Sequence, residues 1–97
     1  MARDSFVYIL ASRRHGTLNV GSTTGLSSRL AQHRSMAVES FTRRYGVHVL
    51  VHVERYPTLR EARARERQMK AWKRAWKVAL IEHGNPAWRD LSAVISL

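Results

Sequence analysis

Glu66 stands where a carboxylate needs a reason. On a helix, Leu59, Ala62, Glu66 and Met69 recur at spacings of 3, 4 and 3 and form one stripe. Three members are apolar and one is an acid, and an unpaired charge turned toward a core or cleft is costly. A glutamate there holds a metal, moves a proton, or pairs with an arginine. Arg29 and His33 are spaced i, i+4 and share another helical face. A guanidinium makes paired hydrogen bonds to phosphate oxygens, and an imidazole moves protons near neutral pH. The other reading of this pair is a solvated polar face. Tyr8 lies in an apolar run, on the side of Phe6 and Leu10 and away from Val7 and Ile9. It reads as a half-buried tyrosine whose hydroxyl needs a partner.

Trp72 and Trp76, also i, i+4, stand among Lys70, Lys73, Arg74 and Lys77. Indoles beside cations can stack bases and hold phosphates, but tryptophans at helical spacing more often belong to a core, and core is the expectation here. His48 and His52 lie four residues apart on a strand, too distant at about 3.3 Å per residue to share one zinc. Gly21-Ser22-Thr23-Thr24-Gly25 lacks the lysine of a phosphate-binding glycine loop.

These residues must be positioned by a small frame. A chain of 97 residues is expected to form one domain over 1–97, with a modest core. The absence of cysteine excludes disulfides, thiolate metal sites and catalytic thiols. The apolar stretch Phe6 to Ala11 is too short for a signal peptide or a membrane span, so a cytoplasmic location and no membrane partner are expected. Lysine plus arginine is 17 against 7 acids, a formal net charge of +10. Such an excess attracts polyanions, and nucleic acid is the foremost of them in cytoplasm.

Phe6–Ala11 and Thr17–Gly21 read as strands joined by the polar turn Arg13–Gly16, a hairpin. Leu26–His33 reads as a helix with Leu26 and Leu30 on one face. Phe41–Tyr45 reads as a helical turn. Val47–Glu54 reads as a strand in which Val47, Val49, Val51 and Val53 alternate with polar or larger neighbours. Thr58-Leu59-Arg60-Glu61 is a capping box opening a helix into the low 70s. A further helix covers Trp76–His83 and stops at Gly84-Asn85-Pro86. The order β-β-α-β-α-α predicts a small α+β domain with a three-stranded, mainly antiparallel sheet flanked by helices.

In their order, these blocks resemble the GIY-YIG nuclease superfamily, specifically its short single-domain bacterial members of the YhbQ type. Val7-Tyr8-Ile9-Leu10 stands at the first signature strand and Gly16–Gly21 at the second. Gly21 through Arg29 to His33 matches the helix that follows. Phe41–Gly46, Ala64–Lys70, Trp76-Lys77 and Asn85–Leu91 match later blocks. The resemblance implies a divalent ion, Mg²⁺ or Mn²⁺, on Glu66, with water at most other positions. It implies Arg29 against the developing phosphorane charge and Tyr8 with His33 activating the attacking water. The products would be a 5′-phosphate and a 3′-hydroxyl. The implied substrate is DNA, with RNA as the other nucleic acid, in repair or processing and with no small-molecule cofactor. Arg43, Arg44, Lys70, Lys73, Arg74 and Lys77 are the candidate nucleic-acid contacts.

One position departs from the pattern. The second signature carries a tyrosine where this chain has Asn19. Asparagine forms no phenolate, although its amide can place a water, and losing a general base removes about 10²–10⁴ in rate. The alternative function is therefore a catalytically impaired nucleic-acid-binding module of the same fold. A third is a basic protein that offers its two-tryptophan helix to an acidic partner. Strand alternation places Asn19 opposite Tyr8, or nearly so, with Leu18 and Val20 on the far side. Asn85 is a candidate for a supporting hydrogen bond.

Overall fold

The computed structural model describes residues 4–35 and 46–93, with the side chains of 32–35 outside the description. The expected helical turn at Phe41–Tyr45, together with Arg43 and Arg44, lies outside the described residues. Three strands, β1 (Ser5–Ala11), β2 (Leu18–Thr23) and β3 (Val49–Tyr56), form one antiparallel sheet in the order β2-β1-β3. The described helices are α1 (Leu26–Ser35), α2 (Leu59–Lys70) and α3 (Arg74–Gly84), followed by a short 3₁₀ turn at Leu91–Ala93. This is the expected α+β arrangement. The last helix starts two residues before the expected Trp76, and α2 ends at Lys70.

β1 is central and its alternation sorts the molecule into two layers. Val7, Ile9 and Ala11 point to one face, where Val20, Val51, Ala62, Met69, Ile81 and Trp88 close a buried cluster. Tyr8 and Leu10 point to the other, where Leu26, Leu30, Val47 and Leu50 pack. Helix α1 therefore covers one face of the sheet, and α2 with α3 covers the other. Tyr8 belongs to the first layer and the stripe carrying Glu66 to the second.

The alternation expected for β3 is interrupted. Ile9 pairs with His52 and Leu10 with Leu50, so Val51 is an extra residue between them. A bulge of this kind shifts the sidedness of everything beyond it. Val53 packs with the Tyr8 layer, while Val49 and Val51 join the opposite cluster. The side chain of Asn85 donates to the Val51 carbonyl at 3.1 Å and to the Arg89 carbonyl at 2.9 Å, and its Oδ1 accepts from the Arg89 N–H. Asn85 thus ties the chain after α3 to the bulge, and its hydrogen bonds go to backbone rather than to a catalytic group.

Local signals explain the remaining ends. Thr58 accepts from the Glu61 N–H at 3.2 Å and caps α2. The return contact differs from a full capping box, because the Thr58 hydroxyl donates to the Glu61 carboxylate at 3.0 Å. The β1–β2 turn is closed by Ser12 N–H to Thr17 O and Thr17 N–H to Ser12 Oγ, both at 3.0 Å. Arg74 fixes the turn from α3 by donating to the carbonyls of His15 and Gly16 at 2.8 and 2.6 Å. The tryptophans divide against expectation. Trp72 is half-buried with Arg65 over its ring, Trp76 is 57% exposed, and it is Trp88 that lies in the core. Trp76 meets Trp72 edge-on, with ring centroids 6.2 Å apart.

Candidate active site

The site forms at the free edge of β2, where the two layers meet. Tyr8 is opposite Gly21 across the hairpin, and Asn19 is opposite Leu10. Tyr8 and Asn19 are therefore not directly opposite but nearly so. The six residues 12–17 between the strands set the register, and a direct Tyr8–Asn19 pair would need a connection two residues shorter. Asn19 still lies on the Tyr8 side of the sheet, diagonal to it, and Leu18 and Val20 face the other way. The missing side chain at Gly21 is what Tyr8 uses. A Cβ there would stand 2.4 Å from the Tyr8 hydroxyl and 2.5 Å from its Cζ. The ring therefore lies across the β2 backbone, pointing at the sheet edge while the residue as a whole is 2% exposed.

From the other layer, α2 brings Glu66 to the same edge. The Ser22 hydroxyl, one residue past Gly21, donates to Glu66 Oε1. Lys70, one turn along α2, donates to Oε2 at 2.7 Å. Burial works to raise the Glu66 pKa, but these two hydrogen bonds and the charges of Lys70 and Arg63 outweigh it and hold the carboxyl below its ordinary value. Arg29 comes from the second turn of α1, its N–H on the Gly25 carbonyl at 3.0 Å. Burial raises the Tyr8 hydroxyl above the ordinary phenol value, with the Arg29 charge opposing and the Glu66 charge adding. Tyr8 thus feels Arg29 from one layer and Glu66 from the other. At neutral pH it is a neutral hydroxyl, and Glu66 is a carboxylate.

His33 follows Arg29 by four residues in α1, but its side chain lies outside the described residues. Lys70 is engaged with Glu66. Lys73 caps α3 by its backbone only, and Lys77 is half-buried. Arg74 is held by the hairpin turn. Among the described residues no group of three or more metal-ligating side chains gathers. Glu66 offers one carboxylate beside the Ser22 hydroxyl, both hard oxygen donors. That fits a cation of the magnesium type, which binds through one or two carboxylates and keeps several waters.

Several site residues were not singled out from the sequence. Ser22 acts across 44 positions, and no local signal marks it. Arg63 and Arg67 flank Glu66 at i−3 and i+1, a signal the helical spacing did contain. A separate cluster surrounds Glu54 on the α2 side of β3. Its carboxylate accepts from His52 Nε2 at 2.9 Å, the Tyr56 hydroxyl at 2.8 Å, and Arg65 at 2.9 and 3.2 Å. These bonds, that of His52 foremost, hold Glu54 down at about 2 against the cost of burial. The i, i+2, i+4 run of His52, Glu54 and Tyr56 is the strand signal for it.

Residues 4–79 match the model of the GIY-YIG catalytic domain. The chain belongs to the GIY-YIG family. It is 36% identical over 81 residues to a UPF0213 protein of Natronomonas pharaonis, a match covering 84% of this chain and 94% of that protein. Its fold is similar to the solution NMR structure of a UPF0213 protein of Bacillus halodurans, with a TM-score of 0.56 at 26% identity over 97% of this chain and 99% of that one. The GIY-YIG family is a nuclease family whose members act on nucleic acid and generally depend on divalent metal. Among the described residues no helix is long and apolar enough to cross a membrane.

Proposed function

We propose that the protein is a metal-dependent endonuclease that hydrolyses DNA phosphodiester bonds, as a single domain over 1–97, in cytoplasmic DNA repair or processing. One observation carries the reading. The Tyr8 hydroxyl lies against Gly21 and the adjacent Ser22 hydroxyl holds Glu66, so groups from the two layers meet at the β2 edge, and the Arg29 charge acts on Tyr8 from α1. A divalent ion, Mg²⁺ or Mn²⁺, held by Glu66 would neutralise charge on the scissile phosphate and its leaving oxygen. Arg29 binds the non-bridging oxygens with its planar fork and stabilises the charge they gain. The neutral Tyr8 hydroxyl orients the attacking water, and His33, one turn beyond Arg29, accepts its proton. The +10 chain charge raises the local concentration of the substrate.

The second reading is an impaired nucleic-acid-binding module. It is favoured by Asn19, which supplies no phenolate on the Tyr8 side of the sheet. The two separate on one experiment: incubation with branched, single-stranded and duplex DNA, and with RNA, in Mg²⁺ or Mn²⁺. Metal-dependent cleavage that disappears in Glu66→Ala, while most DNA binding survives, supports the nuclease. Tight binding by a folded protein without cleavage of any substrate supports the module.

A further inference from the structure

An open cleft of about 300 Å³ along α2 is lined by Arg63, Glu66, Arg67 and Lys70. The four follow one another at i, i+3, i+4 and i+7, so one helical face presents three cations around a single carboxylate. Both oxygens of that carboxylate already carry a donor, Ser22 on Oε1 and Lys70 on Oε2. With three positive groups and one negative, the cleft attracts an anion and repels a second cation. A phosphodiester reverses this, because it brings negative charge and gives Lys70 another acceptor.

We infer that Lys70 competes with a divalent cation for Glu66, and that a phosphodiester bound in the cleft draws Lys70 off the carboxylate, so that nucleic acid and metal each tighten the binding of the other. The inference rests on the nuclease reading and adds a gatekeeper to it. Lys70 suits the role. Its side chain is 55% exposed on a flexible stem, and an i, i+4 pair with its cation in solvent is weak enough to exchange one oxygen acceptor for another. Ser22 stays on Oε1 and keeps the carboxylate facing the cleft. Arg63 and Arg67 hold the phosphate while Lys70 moves. Linkage requires the coupling to be reciprocal: the factor by which nucleic acid tightens metal binding equals the factor by which metal tightens nucleic-acid binding.

The test uses Mn²⁺ as probe, read by electron paramagnetic resonance on the free protein in wild type, Lys70→Met and Glu66→Gln. Removing the competing ammonium should tighten Mn²⁺ binding by about three- to tenfold, and Glu66→Gln should abolish it. Fluorescence anisotropy of a labelled duplex oligonucleotide, with and without Mn²⁺, gives the other half of the linkage. Wild type should gain more affinity from Mn²⁺ than Lys70→Met does, with Glu66→Gln as the baseline for metal on the DNA itself. Equal Mn²⁺ affinity in wild type and Lys70→Met, or an equal gain in DNA binding, overturns the inference and leaves the nuclease reading standing. Mn²⁺ binding in Glu66→Gln that matches wild type, with and without the oligonucleotide, removes both.

Discussion

Gly21→Ala tests whether Tyr8 does its chemistry from across the β2 backbone. The added Cβ would meet the Tyr8 hydroxyl at 2.4 Å and Cζ at 2.5 Å, whereas ordinary contact begins near 3.4 Å, so the ring end must retreat by about 1 Å. Overpacking of this kind costs about 1–3 kcal/mol, offset by about 0.4–1 kcal/mol from the stiffer unfolded chain. A net loss of about 1–2 kcal/mol should lower the melting midpoint by roughly 4–16 °C in a domain of this size. A misplacement of about 1 Å in a catalytic group costs about 10²-fold in rate, equivalent to about 2.7 kcal/mol. Single-turnover cleavage with saturating protein reads the rate, and thermal melting reads the stability. The control is Tyr8→Phe, which keeps the ring and removes the hydroxyl. In that background Gly21→Ala should still destabilise, because the ring must still move. It should cause no further loss of rate, because the group it displaces is already gone. Losses that multiply in the double variant would refute the idea that Gly21 acts through Tyr8, and an unchanged rate in Gly21→Ala alone would remove Tyr8 from the chemistry.

Asn19→Tyr should raise the single-turnover rate by about tenfold or more if a base role returns, and Glu66→Ala should abolish cleavage in both backgrounds; no gain in a folded, DNA-binding variant favours the impaired module. Glu54 titrates at about 2 in the fold against an ordinary 4.5. Its stabilisation is therefore complete above about pH 4.5 and is lost as pH falls toward 2. The fall from 4.5 to about 2 corresponds to at most about 3.4 kcal/mol. Urea denaturation across this range should show the loss in wild type and a much flatter profile in Glu54→Gln. Binding to duplex DNA should weaken steeply as salt rises, because phosphate contacts release counterions; anisotropy titrations at low and physiological salt check this, and equal affinities would contradict it.

The frame was legible in the sequence because its signals are local. Alternation in residues 6–11 named the central strand, Thr58 marked the start of α2, and Gly84-Asn85 marked the end of α3. The stripe of Leu59, Ala62 and Met69 made Glu66 conspicuous, and Arg29 with His33 declared a polar face on α1. Each depends on neighbours within one or two turns, which the chain holds together before it folds.

What the sequence left open depends on register and on distant partners. The valine alternation of β3 pointed to one buried side, and the bulge at Val51 divided it, because an extra residue changes sidedness without altering local pattern. Spacing at i, i+4 made Trp72 and Trp76 equivalent, and only the packing showed that Trp72 lies against the core while Trp76 is exposed. Alternation put Asn19 on the Tyr8 side, opposite or nearly so, and only the register showed that Gly21 is the direct partner and Asn19 the diagonal one. The Ser22–Glu66 bond, 44 residues apart in the chain, exists only because α2 packs on the face of the sheet that Tyr8 does not occupy. The sequence by itself determined the elements, the charge and the residue types of the site. Only the tertiary structure decided that groups from opposite faces meet at the edge of β2, because β2 is an edge strand with one layer packed on each side of the sheet.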